Sequence, residues 1–186
     1  MTLTGRDAPT LPRDLAASPR LSRWLTVHAD GTIGLRVGKV ELGQGILTAL
    51  AQIAADELDV RLEDIRLLPA HTELGPDEGL TAGSNSVSDA GPCVRVAAAN
   101  VRSLFVDAVA RRWGVDPATV TVQRGTFRPR GSTSTTSYGA LAGTVDLDVE
   151  ASADVPLKPA RDYRFVGRSS ARTLSFAQRI PVPRGP

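Results

Sequence analysis

Cysteine is nearly absent from this 186-residue chain, where Cys93 stands alone. One thiol cannot close an internal disulfide, nor supply by itself the thiolates of an iron–sulfur cluster or a structural zinc site. Histidine is almost as scarce. His28 and His71 are too far apart in the pattern to read as a metal pair, and no Ser-His-Asp set stands out. No run approaches the roughly 18 to 20 apolar residues of a membrane span, and Met1 to Arg20 has no apolar stretch behind its charges. A soluble, cytoplasmic protein without a membrane partner is the expectation.

What is present suits a folded chain: 41% hydrophobic and 23% charged residues, near globular averages. The formal charge of +2 is unevenly spread. Residues 151–186 carry seven cations against two carboxylates, a net of +5, which leaves −3 for residues 1–150. A basic segment can bind nucleic acid, but few aromatics, Tyr163 and Phe165 among them, offer stacking there, so a nucleic-acid partner is disfavoured. Five prolines and few apolar anchors make residues 151–186 a disordered or truncated tail in expectation. Residues 1–20 read as an extended arm, and the fold is expected over residues 21–150.

Within that span, Leu25–Ala29 and Ile33–Val37 are β-like runs separated by Asp30-Gly31, which predicts a hairpin. Ile46, Leu50, Ile53, Ala54 and Leu58 keep helical spacing, which predicts a helix over 46–59. A short strand at Ile65 and a polar, Gly-rich loop from Ala70 to Asp89 follow; loops of that length are usually functional or disordered. Asp89 is the expected N-cap of a second helix ending before Gly114. A hairpin across Arg124-Gly125 and a helical turn at Ser137 complete the pattern, with order expected to fade after Val149. The class predicted is α+β, a mixed sheet with two main helices.

Two helix entrances could carry chemistry. At the first, Gly43 and Gly45 flank Gln44, whose amide both donates and accepts, as the edge of a pterin or lactam requires. The helix N-terminus behind it would offer unpaired N–H groups. On spacing alone an ordinary strand-to-helix turn with an exposed Gln is the favoured reading, because the third Gly of a dinucleotide loop and the Lys-Ser/Thr of a phosphate loop are missing. At the second, Thr81 to Ser88 gathers small hydroxyl and amide side chains, with Gly83, Ser84, Asn85 and Ser86 at its centre; a solvent loop is the alternative. If both entrances face one cleft, they form one pocket. Glu41 is either a base or a solvated strand-end charge, and Asp77 and Glu78 read as loop charges. Cys93 is either a thiol activated by the helix dipole or a small buried hydrophobe.

The runs Gly38 to Val60 and Glu78 to Val87, in that order, resemble the molybdopterin-binding large subunit of the xanthine dehydrogenase and aldehyde oxidase family, in particular its isoquinoline-oxidoreductase and nicotinate-dehydrogenase types. The likeness covers roughly residues 21–142. It implies part of a molybdopterin-binding domain, with Gly43, Gln44 and Gly45 at the pterin and Gly83, Ser84, Asn85 and Ser86 along the cofactor and beside the molybdenum. The cofactor implied is molybdopterin with molybdenum, with the cytosine dinucleotide as one form, held only in a complete subunit. Oxidative hydroxylation of an N-heterocycle or aldehyde is the implied reaction, and a [2Fe–2S] subunit and the remainder of the large subunit are the implied partners. A Gly-Gly-Phe-Gly-type loop and a catalytic C-terminal glutamate of the family have no counterpart here. The chain alone is therefore expected to be inactive, a truncated subunit whose likeness stops near Arg172. The alternative is a non-catalytic interaction module or remnant. Helix faces at Leu50, Leu58, Leu104 and Phe105 are expected to lack packing partners and to drive self-association.

Overall fold

A computed structural model describes residues 9–170. The predicted hairpin forms β1 (Leu25–Val27) and β2 (Ile33–Leu35), antiparallel, with Leu25 opposite Leu35 and Val27 opposite Ile33. Helix α2 (Ile46–Leu58) then crosses over to β3 (Ile65–Leu67), which pairs parallel to β2 and completes a mixed three-stranded sheet. Leu25, Ile33, Leu35 and Ile65 from these strands enter one buried core.

The long helix α3 (Ser86–Trp113) packs along α2. Ala51, Ala54 and Ala55 of α2 and Ala90, Ala97 and Ala98 of α3 are all buried. Small side chains let two helix backbones approach closely, and both stripes sit at the spacing of one helix face. A second, antiparallel sheet follows, made of β4 (Val120–Gln123), β5 (Thr126–Pro129) and β6 (Thr136–Ser137). It runs into a single turn, α4 (Tyr138–Leu141), capped by the Ser137 hydroxyl, which accepts from the Ala140 N–H. Phe105, Phe127 and Tyr138 join α3, β5 and α4, with ring centroids 4.8–6.3 Å apart. The Tyr138 hydroxyl donates to the Leu58 carbonyl at 2.9 Å, which closes this cluster onto the end of α2. The fold is α+β, with the two main helices and the mixed sheet expected and a separate antiparallel sheet beside them.

Four expectations change. Inside the supposed arm, Arg13–Ala17 form a short helix, α1, and Leu15 is buried in the core. Order does not fade after Val149: residues 151–170 lie over α2 and α3, tied down by acids at the end of α2. The Asp56 carboxylate accepts from the N–H groups of Arg164, Phe165 and Val166 at 2.7–3.2 Å. Buried Glu57 accepts from Arg95 and from the Lys158 N–H, and Asp59 pairs with Lys158 at 2.6 Å and Arg164 at 3.0 Å. Part of the basic charge is thus answered inside the chain; the rest of the expected tail, with its break near Arg172, lies outside the described residues. Third, α3 begins at Ser86 rather than Asp89. Gly83 and Ser84 turn the chain with φ of 68° and 59°, and Asn85 O already accepts the Asp89 N–H at 2.9 Å. Last, Leu50, Leu58 and Phe105 are fully buried and Leu104 packs against the core, so these faces are not bare.

Candidate functional site

The two entrances meet through their approach segments. After β2 the chain passes residues 38–40, and the loop before α3 lies against them at residues 76–81. The Gly38 N–H donates to Glu78 Oε2 at 2.5 Å, Lys39 Nζ donates to the Glu78 carbonyl at 2.6 Å, and the Val40 N–H donates to Thr81 Oγ1 at 2.8 Å. Contact is tight at Gly38, where a Cβ would stand 2.9 Å from Pro76 O and 3.0 Å from Glu78 Cβ. Glycine is required there by space.

Gln44 then folds back on its own turn. Its Oε1 accepts from the Leu42 N–H at 2.6 Å and its Nε2 donates to Val40 O at 3.0 Å. An amide has two donors and two acceptor sites, so these bonds leave one of each on its outer edge. Gln44 is exposed, between Gly43 and Gly45 with φ of 101° and 82°. A donor and an acceptor are held side by side with little freedom left to lose on binding.

The α2 N-terminus does not offer the open N–H groups expected of it. The Glu41 carboxylate accepts from Gly43, Gly45 and Leu47 N–H at 2.8–3.2 Å. A carboxylate in that place satisfies first-turn donors and meets the positive end of the helix dipole. Glu41 is therefore a cap supplied from four residues ahead of Gly45, and neither of its predicted roles describes it. At α3 the arrangement is opposite: among the described residues no side chain caps the helix, and Gly83, Ser84 and Asn85 are exposed, with Ser86 half-buried.

Other predicted residues sit elsewhere. Cys93 is buried on the second turn of α3, beyond the reach of the dipole at the first; its thiol donates to Asp89 O at 3.2 Å. Burial pushes it up to about 11, so the activated-thiol alternative fails. His71 Nδ1 accepts from Glu73 and Leu74 N–H within its own loop. Among the described residues no group of three or more His, Cys, Asp or Glu could hold a metal, and no helix is long and apolar enough to cross a membrane.

A groove of about 310 Å³ runs between α2, α3 and residues 157–166, lined by Ile53, Val87, Pro92, Leu157, Tyr163 and Val166 among others. None of the seven predicted residues lines it, so the single cleft imagined for both entrances is not this groove. Their own rim is apolar at Leu42 and Leu80, 72% and 88% exposed.

A family model described as the molybdopterin cofactor-binding domain matches residues 9–177. The chain belongs to this family. It is 35% identical to a nicotinate dehydrogenase subunit of Pseudomonas putida over 82% of this chain and 13% of that protein. With the beta subunit of isoquinoline 1-oxidoreductase from Brevundimonas diminuta the identity is 33%, over 77% and 19% respectively. The fold superposes on CO dehydrogenase from Oligotropha carboxidovorans with a TM-score of 0.54 and 25% identity, over 68% of this chain and 17% of that one. The resemblance in the two glycine-rich runs is thus a kinship in the xanthine dehydrogenase family of molybdenum oxidoreductases, and the chain spans less than a fifth of the length of these three proteins.

Sequence reasoning reads Glu78 as a loop charge and Thr81 only as part of the second run, whereas both join the entrances, and it missed Asp56, Glu57 and Asp59, which hold residues 158–166. A weak signal existed: three acids within Asp56–Asp59 match in number the basic residues Lys158, Arg161 and Arg164.

Proposed function

We propose that this chain supplies cofactor-binding elements to a molybdenum hydroxylase subunit that oxidatively hydroxylates N-heterocycles or aldehydes. The observation that carries the reading is the Gln44 ring, an amide fixed at two bonds with one donor and one acceptor facing outward in a molybdopterin-binding chain. That edge fits a pterin, and the uncapped start of α3 fits phosphate oxygens, which the cytosine dinucleotide form has in greater number. When bound, the cofactor supplies the redox-active metal that oxidises the substrate.

This chain's own part is to bind and orient. Gln44 reads the pterin edge; Gly83 and Ser84, both left-handed, leave room beside the backbone; Asn85 and Ser86 add donors at the helix start. No base comes from these residues, so the remainder of a large subunit and a [2Fe–2S] subunit are the partners proposed, within a cytoplasmic complex. Two of the relatives matched in sequence are named as subunits, which favours assembly.

The test reconstitutes the chain with a complementary large-subunit segment and measures molybdenum and pterin per mole of complex. Gln44→Ala is expected to lower cofactor retention severalfold at unchanged melting temperature, since one neutral hydrogen bond contributes about 0.5–1.5 kcal/mol. Gly83→Val is expected to lower it further by crowding the approach. Unchanged content in both variants would sink the assignment and leave the interaction-module alternative.

A further inference from the structure

Glu78 is a buried acid that the cofactor reading leaves without a role. It is only 5% exposed, on a loop whose neighbours Asp77, Gly79 and Leu80 are exposed. One carboxyl oxygen accepts the Gly38 N–H, and the other, Oε1, is buried without a hydrogen-bond partner among the described residues. A buried unsatisfied oxygen is costly, and an apolar residue at this place would avoid it.

The bond to Gly38 begins a chain of contacts that ends at Gln44. Glu78 fixes residue 38, its carbonyl fixes Lys39, and Thr81 fixes the N–H of Val40. Val40 in turn presents the carbonyl to which Gln44 Nε2 donates. Two residues of loop thus set where the first entrance holds its amide, although Glu78 is 34 residues away in sequence. We propose that Glu78 is the positioning residue of the Gln44 turn, clamping the exit of β2 so that the amide edge is fixed relative to the loop before α3. Its meaning for cofactor binding rests on the reading of Gln44 given above; the positioning itself does not.

Amide hydrogen exchange of the 186-residue chain separates the two. Glu78→Ala removes the acceptor for Gly38, and exchange at Val40, Leu42 and Gly45 is expected to rise about tenfold or more, with Ala97 and Ala98 in the α3 core unchanged. Glu78→Gln keeps a carbonyl acceptor of the same reach, and exchange is expected within about threefold of the parent chain. Unchanged exchange at Val40 and Leu42 in Glu78→Ala, or an equal rise across the α3 core, would overturn the proposal. Should Glu78→Ala fail to fold, Glu78→Asp, one methylene shorter, is read by the same two criteria. Pterin content of the reconstituted complex is scored apart: fast exchange with unchanged pterin leaves Glu78 as the clamp and removes the cofactor role of Gln44.

Discussion

The two helix entrances look alike in sequence and differ in what they leave open. At α2, Glu41 fills the first-turn donors and Gln44 closes over its own backbone, so this entrance is internally satisfied and offers a shaped amide edge. At α3, no side chain among the described residues caps the helix, and the backbone turns through left-handed Gly83 and Ser84 in the open. A glycine-rich run before a helix therefore does not by itself identify an anion site. What decides is whether an acid nearby has already taken the donors.

The strongest way to break this arrangement is to push the approach segments apart. Gly38→Ala places a Cβ within 3.0 Å of two backbone-anchored atoms, and crowding of this kind costs about 1–3 kcal/mol. Denaturant unfolding should show that loss. Next, Glu41→Ala should destabilise the chain by about 1–2 kcal/mol, the upper part of the range for helix caps, because three N–H groups lose their acceptor. A loss below about 0.3 kcal/mol would mean that the α2 entrance is as open as that of α3.

A pH series sharpens the same contrast. Burial raises the Glu78 carboxyl above its ordinary value; Asp14 on α1 raises it further, and the Gly38 and Lys39 N–H groups and the Lys39 ammonium oppose them. The Cys93 thiol on α3 is the other titratable neighbour, and it stays protonated well above neutrality. A raised folded value means that the folded state holds the proton more tightly. This contribution is therefore complete below the unfolded carboxyl value of about 4.3 and is lost as pH rises through the folded one. Urea midpoints of the parent chain against Glu78→Gln, between pH 4 and 8, should show the parent falling relative to the variant as pH rises. The smallest effect is expected for Asn85→Ala, within about 0.5 kcal/mol, because that side chain caps nothing. A larger loss would show that the α3 entrance is capped after all.

Much of the fold was legible. Asp30-Gly31 marks the hairpin, and the apolar spacing from Ile46 to Leu58 marks α2, because both signals are local and the backbone answers them directly. The sequence reading starts α3 one turn late, since a cap at Asp89 leaves Pro92 in the first turn where its missing N–H costs nothing, yet the left-handed pair Gly83-Ser84 has already turned the chain. Residues 151–170 were misjudged for another reason. Their anchors are backbone N–H groups, which every sequence has, and the acids that accept from them lie about a hundred residues earlier.

By itself the sequence determined the two hairpins, the two main helices and the family, because periodicity, turn glycines and the two motif runs are written along the chain. The tertiary structure decided which charges matter. Glu41 became a cap, Glu78 a clamp, and Asp56, Glu57 and Asp59 the holders of residues 158–166, through burial and donors that folding delivers from remote positions. A carboxylate's role depends on which N–H groups surround it once water is gone, and no local pattern encodes that.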